Sequence, residues 1–259
     1  MILTNDNYYS RKANCEFMSV SQYKDFLSCE AMAMAKLRGE WQEPKSTALL
    51  VGSYIDSYFE GTLSDFKLHN PEIYKKGGKL KADYIAADWL IKRIKKDKLF
   101  MEYMSGQKQI IKTGELFGCK WKIKIDSYFP YQKIVDLKIM RSLDRIMGKS
   151  FVEYWGYDLQ MAVYSAIEGH NLETYLAVAT KETVPNLEII NIPGWRRAEV
   201  LADVKRMIPR ILAVKSGREK PERCEMCDYC KSTKILTEPI DYEFVGLSAA
   251  ERKAIFGTL

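Results

Sequence analysis

Apolar residues recur with a helical period through the first hundred positions and then switch to strict alternation. A Ser19-Val-Ser-Gln22 capping box opens an Ala- and Met-rich segment that predicts one helix to Leu37, with Gly39 as its stop. A second helix is predicted over residues 46–61. A third, long and amphipathic, is predicted over 79–104, with Lys92, Arg93, Lys95 and Lys96 on a basic face. From Gln107 the period becomes two, and residues 107–112, 119–128 and 133–138 predict three successive strands, with turns over 114–118 and 130–132. Helical spacing returns over 142–147 and 154–168. Strands are predicted over 174–179 and 187–192, then a helix over 195–214 and a short one from about Ser248. This order predicts an α/β (α+β) fold with a central mixed β-sheet flanked by helices.

At 259 residues and 47% hydrophobic, the chain can bury a full-sized core without disulfide staples. A single domain over 1–259 is expected: a core over about 20–215, a Cys-rich metal-binding segment over 216–235 and a tail over 236–259. No apolar run approaches the roughly 18–20 residues that span a membrane. The N-terminus lacks a basic region followed by an apolar one, so no membrane association and a cytoplasmic location are expected. The net charge of +6 is a mild bias toward polyanionic partners. His69 and His170 are the only imidazoles, which disfavours His-rich zinc sites and His-driven triads.

Alternation along Trp121-Lys-Ile-Lys-Ile-Asp126 puts Trp121, Ile123 and Ile125 on one face and Lys122, Lys124 and Asp126 on the other. In the next strand, Asp136 and Lys138 project from one face. If the strands pair as a hairpin, Asp126 and Asp136 converge with Lys138 beside them. Two carboxylates and a neighbouring main-chain carbonyl, that of Leu137, make a hard-oxygen site for Mg2+ or Mn2+. An adjacent ammonium can orient water or stabilise charge on a phosphate. The pattern Asp/Glu-x-Lys also begins at Glu43, Asp65, Asp203 and Glu251, where a solvated ion pair is the default. Only the Asp136 copy lies on a predicted strand with another strand aspartate ten positions earlier.

Four motifs in order, Gly52-Ser-Tyr-Ile-Asp56, Asp126, Asp136-Leu-Lys138 and Gln160-Met-Ala-Val-Tyr164, make the chain resemble the PD-(D/E)XK nuclease superfamily over about residues 20–235. The likeness is to its RecB/RecE-like branch of phage-type exonucleases and exodeoxyribonuclease VIII-like proteins. The resemblance implies a restriction-endonuclease-like core and a single nuclease domain. It implies that Asp126 and Asp136 are metal ligands, that Lys138 is the catalytic lysine, and that Gln160 and Tyr164 contact DNA near the scissile phosphate. Asp56 stands where the family usually has His and becomes an additional metal ligand. The bland readings are a helix-surface charge for Asp56 and helix packing for Gln160 and Tyr164.

Half of the six cysteines form Cys224-Glu-Met-Cys227-Asp-Tyr-Cys230, a spacing that aims several thiolates at one point. Zinc or a four-iron cluster needs a fourth protein ligand. Cys29 is the first choice and Cys15 the second, while Cys119 reads as a core thiol. One early and three late cysteines resemble the iron–sulfur nucleases of the AddB and CRISPR-adaptation kind, which favours a 4Fe-4S cluster over zinc. The final Cys-x-x-Cys gap is shorter than is usual there. Reduced, unliganded thiols are the bland alternative.

Arg141, Arg145 and Lys149 follow the Asp136 strand at spacing four and predict a basic stripe able to neutralise DNA phosphates. Trp195-Arg-Arg197 and Lys205/Arg206 add positive charge, and Tyr154, Trp155 and Tyr157 offer stacking surfaces. The leading expectation is an Mg2+- or Mn2+-dependent deoxyribonuclease, an exonuclease acting on ends of linear DNA in phage or bacterial recombination or repair. Its expected associations are a single-strand annealing or recombination protein and, since related exonucleases form rings, a homo-oligomer. The alternatives are an endonuclease or CRISPR-type iron–sulfur nuclease, and a non-catalytic DNA-binding module with structural zinc.

Overall fold

The first helical run is shorter in its pieces than the apolar pattern predicts. The computed structural model describes residues 1–44, 46–237 and 239–256; Glu238 and residues 257–259 of the expected tail, and Lys45 of the Glu43 motif copy, lie outside them. Helix α1 (Arg11–Glu16) is capped by Ser10. In α2 (Val20–Ser28) the Ser19 hydroxyl accepts the Gln22 N–H at 3.2 Å, the expected half of the capping box. The Gln22 side chain donates instead to the Asn14 carbonyl, at 2.9 Å. At Cys29 the backbone turns extended (φ −163°, ψ 108°) and breaks the single helix that was expected. Helix α3 (Glu30–Arg38) restarts there, with the Cys29 sulfur accepting the Met32 N–H at 3.5 Å, and Gly39 closes it with φ 76°.

Helix α4 (Thr47–Glu60) runs as expected from its Ser46 cap to Gly61, and α5 (Leu63–His69) follows. The long third helix is also two, α6 (Ala82–Lys95) and α7 (Lys98–Tyr103), because the Asp97 carboxylate caps the second by accepting the Phe100 N–H at 3.0 Å.

Strands β1 (Gln107–Leu116), β2 (Cys119–Phe129) and β3 (Lys133–Met140) form the expected meander. Its first turn sits at Phe117–Gly118, both with positive φ, rather than spanning 114–118. Residues 141–150 hold no helix; a local bridge joins Ile146 and Lys149. Then come α8 (Phe151–Tyr154), α9 (Tyr157–Glu168), β4 (Glu173–Thr180), β5 (Leu187–Asn191), α10 (Gly194–Lys215), α11 (Asp228–Ser232) and α12 (Ala249–Phe256). The sheet order is β1-β2-β3-β4-β5, with β2/β3 and β4/β5 antiparallel and β3/β4 parallel. It is the mixed sheet the element order predicts.

The chain divides into two compact units. One comprises residues 1–43, 115–121 and the chain from 203 onward; the other comprises 44–114 and 122–202. In the first, Trp121 is fully buried against Tyr23, and Arg210 holds Glu30 through paired hydrogen bonds of 2.8 and 2.6 Å. In the second, Val135 and Leu137 of β3 and Ala177 and Ala179 of β4 pack with Val51, Tyr54 and Ile55 of α4 and Ile91 and Ile94 of α6. Burying this apolar set, at roughly 1.5–3 kcal/mol per large side chain, fixes α4 on the sheet. Asp56 follows the fully buried Ile55, so its position is set by that packing. Alternation along β2 holds for Ile123 and Ile125, which are fully buried, but Lys122 is buried as well and the opposite face is not uniformly solvated.

Candidate active site and cysteine centre

The ladder between β2 and β3 ends at the pair Ser127 and Val135, and the next residue on each strand is an aspartate, Asp126 or Asp136. Beyond that pair, Asp126 Oδ2 accepts the Leu137 N–H at 2.9 Å. Gln109 Nε2 donates to Asp126 Oδ1 at 3.2 Å. On Asp136, Gln160 Nε2 of α9 donates to Oδ1 at 2.6 Å. Its Oδ2 is buried and has the Lys138 ammonium as its ion-pair partner. Lys138 also lies 4.8 Å from the centre of the Tyr157 ring.

The electrostatics follow from crowding three carboxylates where little water reaches. Burial, then the neighbouring Asp136, pushes Asp126 up to about 7, against Lys138, the Leu137 N–H and Gln109. Burial and the negative charge of Asp126 likewise raise Asp56 well above its ordinary value, with Lys138 opposing. Burial works against the Lys138 charge, but Asp136 and Asp126 outweigh it and hold the ammonium above its ordinary pKa.

A cavity of about 10 Å³ is lined by Asp56, Phe59, Glu60, Met104, Gln109, Asp126 and Leu137. Its size is that of one water or one ion. The donors around it are hard oxygens: the carboxylates of Asp56, Glu60 and Asp126, and the Gln109 carbonyl, which is buried without a hydrogen bond. This set fits Mg2+ or Mn2+.

The structure brings Asp56, Asp126, Leu137, Asp136, Lys138 and Gln160 to one neighbourhood. Tyr164, one turn beyond Gln160 on α9, is buried at 8% exposure. The basic stripe is corrected: with no helix over 141–150, Arg141, Arg145 and Lys149 share no helical face, and the Arg145 guanidinium donates to the Gly148 carbonyl at 2.6 and 3.2 Å. Arg141 lines an open groove of about 1020 Å³ with Trp155 and Lys181. Arg196 and Arg197 are structural. The first pairs with Asp158 at 2.7 Å and Glu199 at 2.8 Å; the second is buried and donates to Ser165 at 2.8 Å and to the Leu172 carbonyl. Arg206 pairs with Asp203. Sequence reasoning missed Gln109, which belongs to no motif; it has a backbone φ of 53° inside β1 and donates to Asp126.

In the first unit, Cys29, Cys224, Cys227 and Cys230 present sulfurs that all lie within 4.8 Å of one another. The Cys29–Cys230 and Cys224–Cys230 separations are 3.6 and 3.9 Å. The break at Cys29 is what lets that thiol leave the helix, and Cys227 similarly caps α11. The N–H groups of Met226 and Cys227 point at Cys224 Sγ at 3.4 and 3.3 Å. Burial raises the Cys224 thiol, yet these amides outweigh it and bring it to about 7, while burial pushes Cys230 up to about 12. Cys15 is exposed and Cys119 buried, both outside the group.

The mixed sheet, the two strand aspartates and the lysine two residues after the second define a PD-(D/E)XK-type nuclease core. More particularly, the chain belongs to the family of PDDEXK-like domains of unknown function (DUF3799), whose model matches residues 19–233. It is similar to the crystal structure of the "Putative exonuclease" of Eubacterium rectale, with 51% identity, a TM-score of 0.90, and coverage of 93% of this chain and 97% of that one. A second solved structure, SSO0001, aligns at 14% identity over 85% of this chain and 96% of that one, but its TM-score of 0.33 carries no argument. No curated protein matches the chain. No helix among the described residues is long and apolar enough to cross a membrane.

Proposed function

We propose that the protein is an Mg2+- or Mn2+-dependent deoxyribonuclease that acts as an exonuclease on the ends of linear DNA in recombination or repair. The observation that carries this reading is the meeting of Asp126, Asp136, Lys138 and Gln160 where β2 and β3 part. Asp126, Asp136, Asp56 and the Leu137 carbonyl are the groups to hold the cation. When bound, the cation supplies Lewis-acid polarisation of the phosphate and a more acidic water.

The chain's own residues do the rest. Gln160 holds Asp136 Oδ1, so the carboxylate keeps its other oxygen toward Lys138. The Lys138 ammonium, kept charged by the aspartates, stabilises negative charge gathering on the phosphate and orients the attacking water. Arg141 and Trp155, neighbours in the open groove, are assigned to the DNA backbone and to stacking on an unpaired end, and Lys149 to a further phosphate. Tyr164 acts from within α9, by holding the helix that carries Gln160. The exonuclease designation of the Eubacterium rectale protein supports end-directed cleavage. A single-strand annealing protein and a ring-shaped homo-oligomer fit that role as associations.

For the cysteines we propose one tetrahedral zinc ion as a structural clasp between Cys29 and the Cys224–Cys230 segment. Zinc–sulfur bonds of about 2.3 Å in a tetrahedron separate the sulfurs by about 3.8 Å; two observed separations are 3.6 and 3.9 Å, and all four sulfurs lie within 4.8 Å of one another. A four-iron cluster interposes its own cube between the thiolates and demands wider spacing, so this geometry supports zinc over the iron–sulfur reading of the motif.

The test is digestion with Mg2+ of a linear duplex and of the same DNA as a covalently closed circle. Loss of the linear form with the circle spared is expected. Cleavage of both makes the protein an endonuclease, and cleavage of neither contradicts the nuclease reading.

A further inference from the structure

We propose that Gln109 is a further member of the divalent-cation site: its side-chain carbonyl is an oxygen donor to the cation, while its amide positions Asp126. The inference rests on the metal-dependent nuclease reading and names a ligand that the four motifs do not include.

Three independent features converge on this residue. First, its backbone φ is 53°, inside a strand, in a region that a residue with a long side chain rarely adopts. A positive φ there interrupts the regular pleat of β1. Second, Gln109 Nε2 donates to Asp126 Oδ1 at 3.2 Å, which orients the amide. The opposite orientation would set the carbonyl against a carboxylate oxygen. Third, the carbonyl Oε1 is buried and accepts no hydrogen bond.

Buried acceptors without donors are rare, and each calls for a reason. Among the described residues, Gln109 Oε1 is the one buried side-chain acceptor with neither a hydrogen bond nor an ion pair, since Asp136 Oδ2 has the Lys138 ammonium. The ammonium groups nearby are committed elsewhere. Lys108 donates to the Met104 carbonyl and Lys138 pairs with Asp136. Gln109 lines the small cavity together with Asp56, Asp126 and Leu137. A cation there satisfies the orphan oxygen, and a neutral donor completes the coordination without adding to the repulsion among three aspartates.

The experiment is Mn2+ binding without DNA, followed by electron paramagnetic resonance and calorimetry. It compares the wild type with Gln109→Met, which keeps the bulk but offers no oxygen, and with Gln109→Glu, which restores one. Melting in EDTA confirms that each variant is folded. Gln109→Met is expected to weaken Mn2+ binding by roughly 10–100-fold, and Gln109→Glu to bind within a few-fold of the wild type. Equal Mn2+ affinity in the wild type and Gln109→Met overturns the assignment and leaves the nuclease reading standing. A folded wild type that binds no Mn2+ also overturns it, and DNA cleavage with Mg2+ then decides separately whether the nuclease reading survives.

Discussion

The carboxylate of Asp126 accepts the backbone N–H of Leu137 at 2.9 Å, just beyond the last paired residues of β2 and β3. A side chain thus takes over where the ladder stops, and the two aspartates sit where β2 and β3 diverge. This makes the fold and the chemistry separable. Asp126→Asn keeps an acceptor for that amide, whereas Asp126→Ala leaves a buried N–H without one. Denaturant unfolding without metal should find the alanine variant about 1–2 kcal/mol less stable than the asparagine variant. Both should lose Mg2+-dependent cleavage.

Lys138 is expected to contribute to catalysis directly and to stability as the ion-pair partner of the buried Asp136. Lys138→Met should reduce the cleavage rate by roughly 10²–10³-fold, the range for removing one group that stabilises transition-state charge. Steady-state kinetics on a labelled duplex measures the loss. Circular dichroism showing that the variant is still folded at the assay temperature would mark the loss as chemical.

Asp56 occupies the position where the family pattern has histidine. If it serves the cation, Asp56→His should retain metal-dependent cleavage, and Asp56→Ala should raise the Mg2+ concentration needed for half-maximal rate by about 10-fold or more. Identical Mg2+ dependence in the wild type and Asp56→Ala would make Asp56 a packing residue.

The C-terminus of α9 is anchored by Glu168, which accepts from Lys112 at 2.9 Å and from Tyr128 at 2.7 Å. Burial opposes its charge, but Lys112, Tyr128 and the His170 N–H outweigh it and lower Glu168 to about 2. A carboxylate whose pKa falls on folding contributes stability that is complete above its unfolded value of about 4.3. That stability is lost as pH drops from there toward 2. Glu168→Gln should therefore cost about 2 kcal/mol at pH 7 and show a weaker acid-induced loss between pH 5 and 2 than the wild type. Melting curves across that range provide the comparison.

Metal analysis should find about one zinc per chain, and Cys230→Ser should abolish it while Cys15→Ser and Cys119→Ser leave it intact. Iron with a visible absorption band would overturn the zinc assignment. Removing the ion should lower the melting temperature, because ligation joins α3 to the segment around α11.

Much of this was legible in the residue pattern because two periods are unambiguous. Alternation through Trp121, Ile123 and Ile125 placed β2, and Asp136-Leu-Lys138 stood out because it lies on the strand after it. The breaks at Cys29 and Asp97 were not legible. Helical periodicity continues across both, and only a side chain capping the next turn stops the helix. The stripe of Arg141, Arg145 and Lys149 failed for the converse reason: spacing four implies a shared face only if a helix forms, and the Arg145–Gly148 contact belongs to a loop. Gln109 left no trace in the pattern, since neither its unusual backbone angle nor its hydrogen bond to Asp126 follows from alternation.

The most direct test of the central claim is the Mg2+-dependent hydrolysis of an end-labelled linear duplex by the wild type and by Asp136→Asn. The variant removes one carboxylate charge and keeps a similar shape beside Gln160 and Lys138. Release of nucleotides by the wild type in Mg2+, none in EDTA, and a loss of at least about 10²-fold in the variant is the expected result. Equal rates for the two proteins, or hydrolysis unaffected by EDTA, would contradict an active site built on Asp126, Asp136 and Lys138.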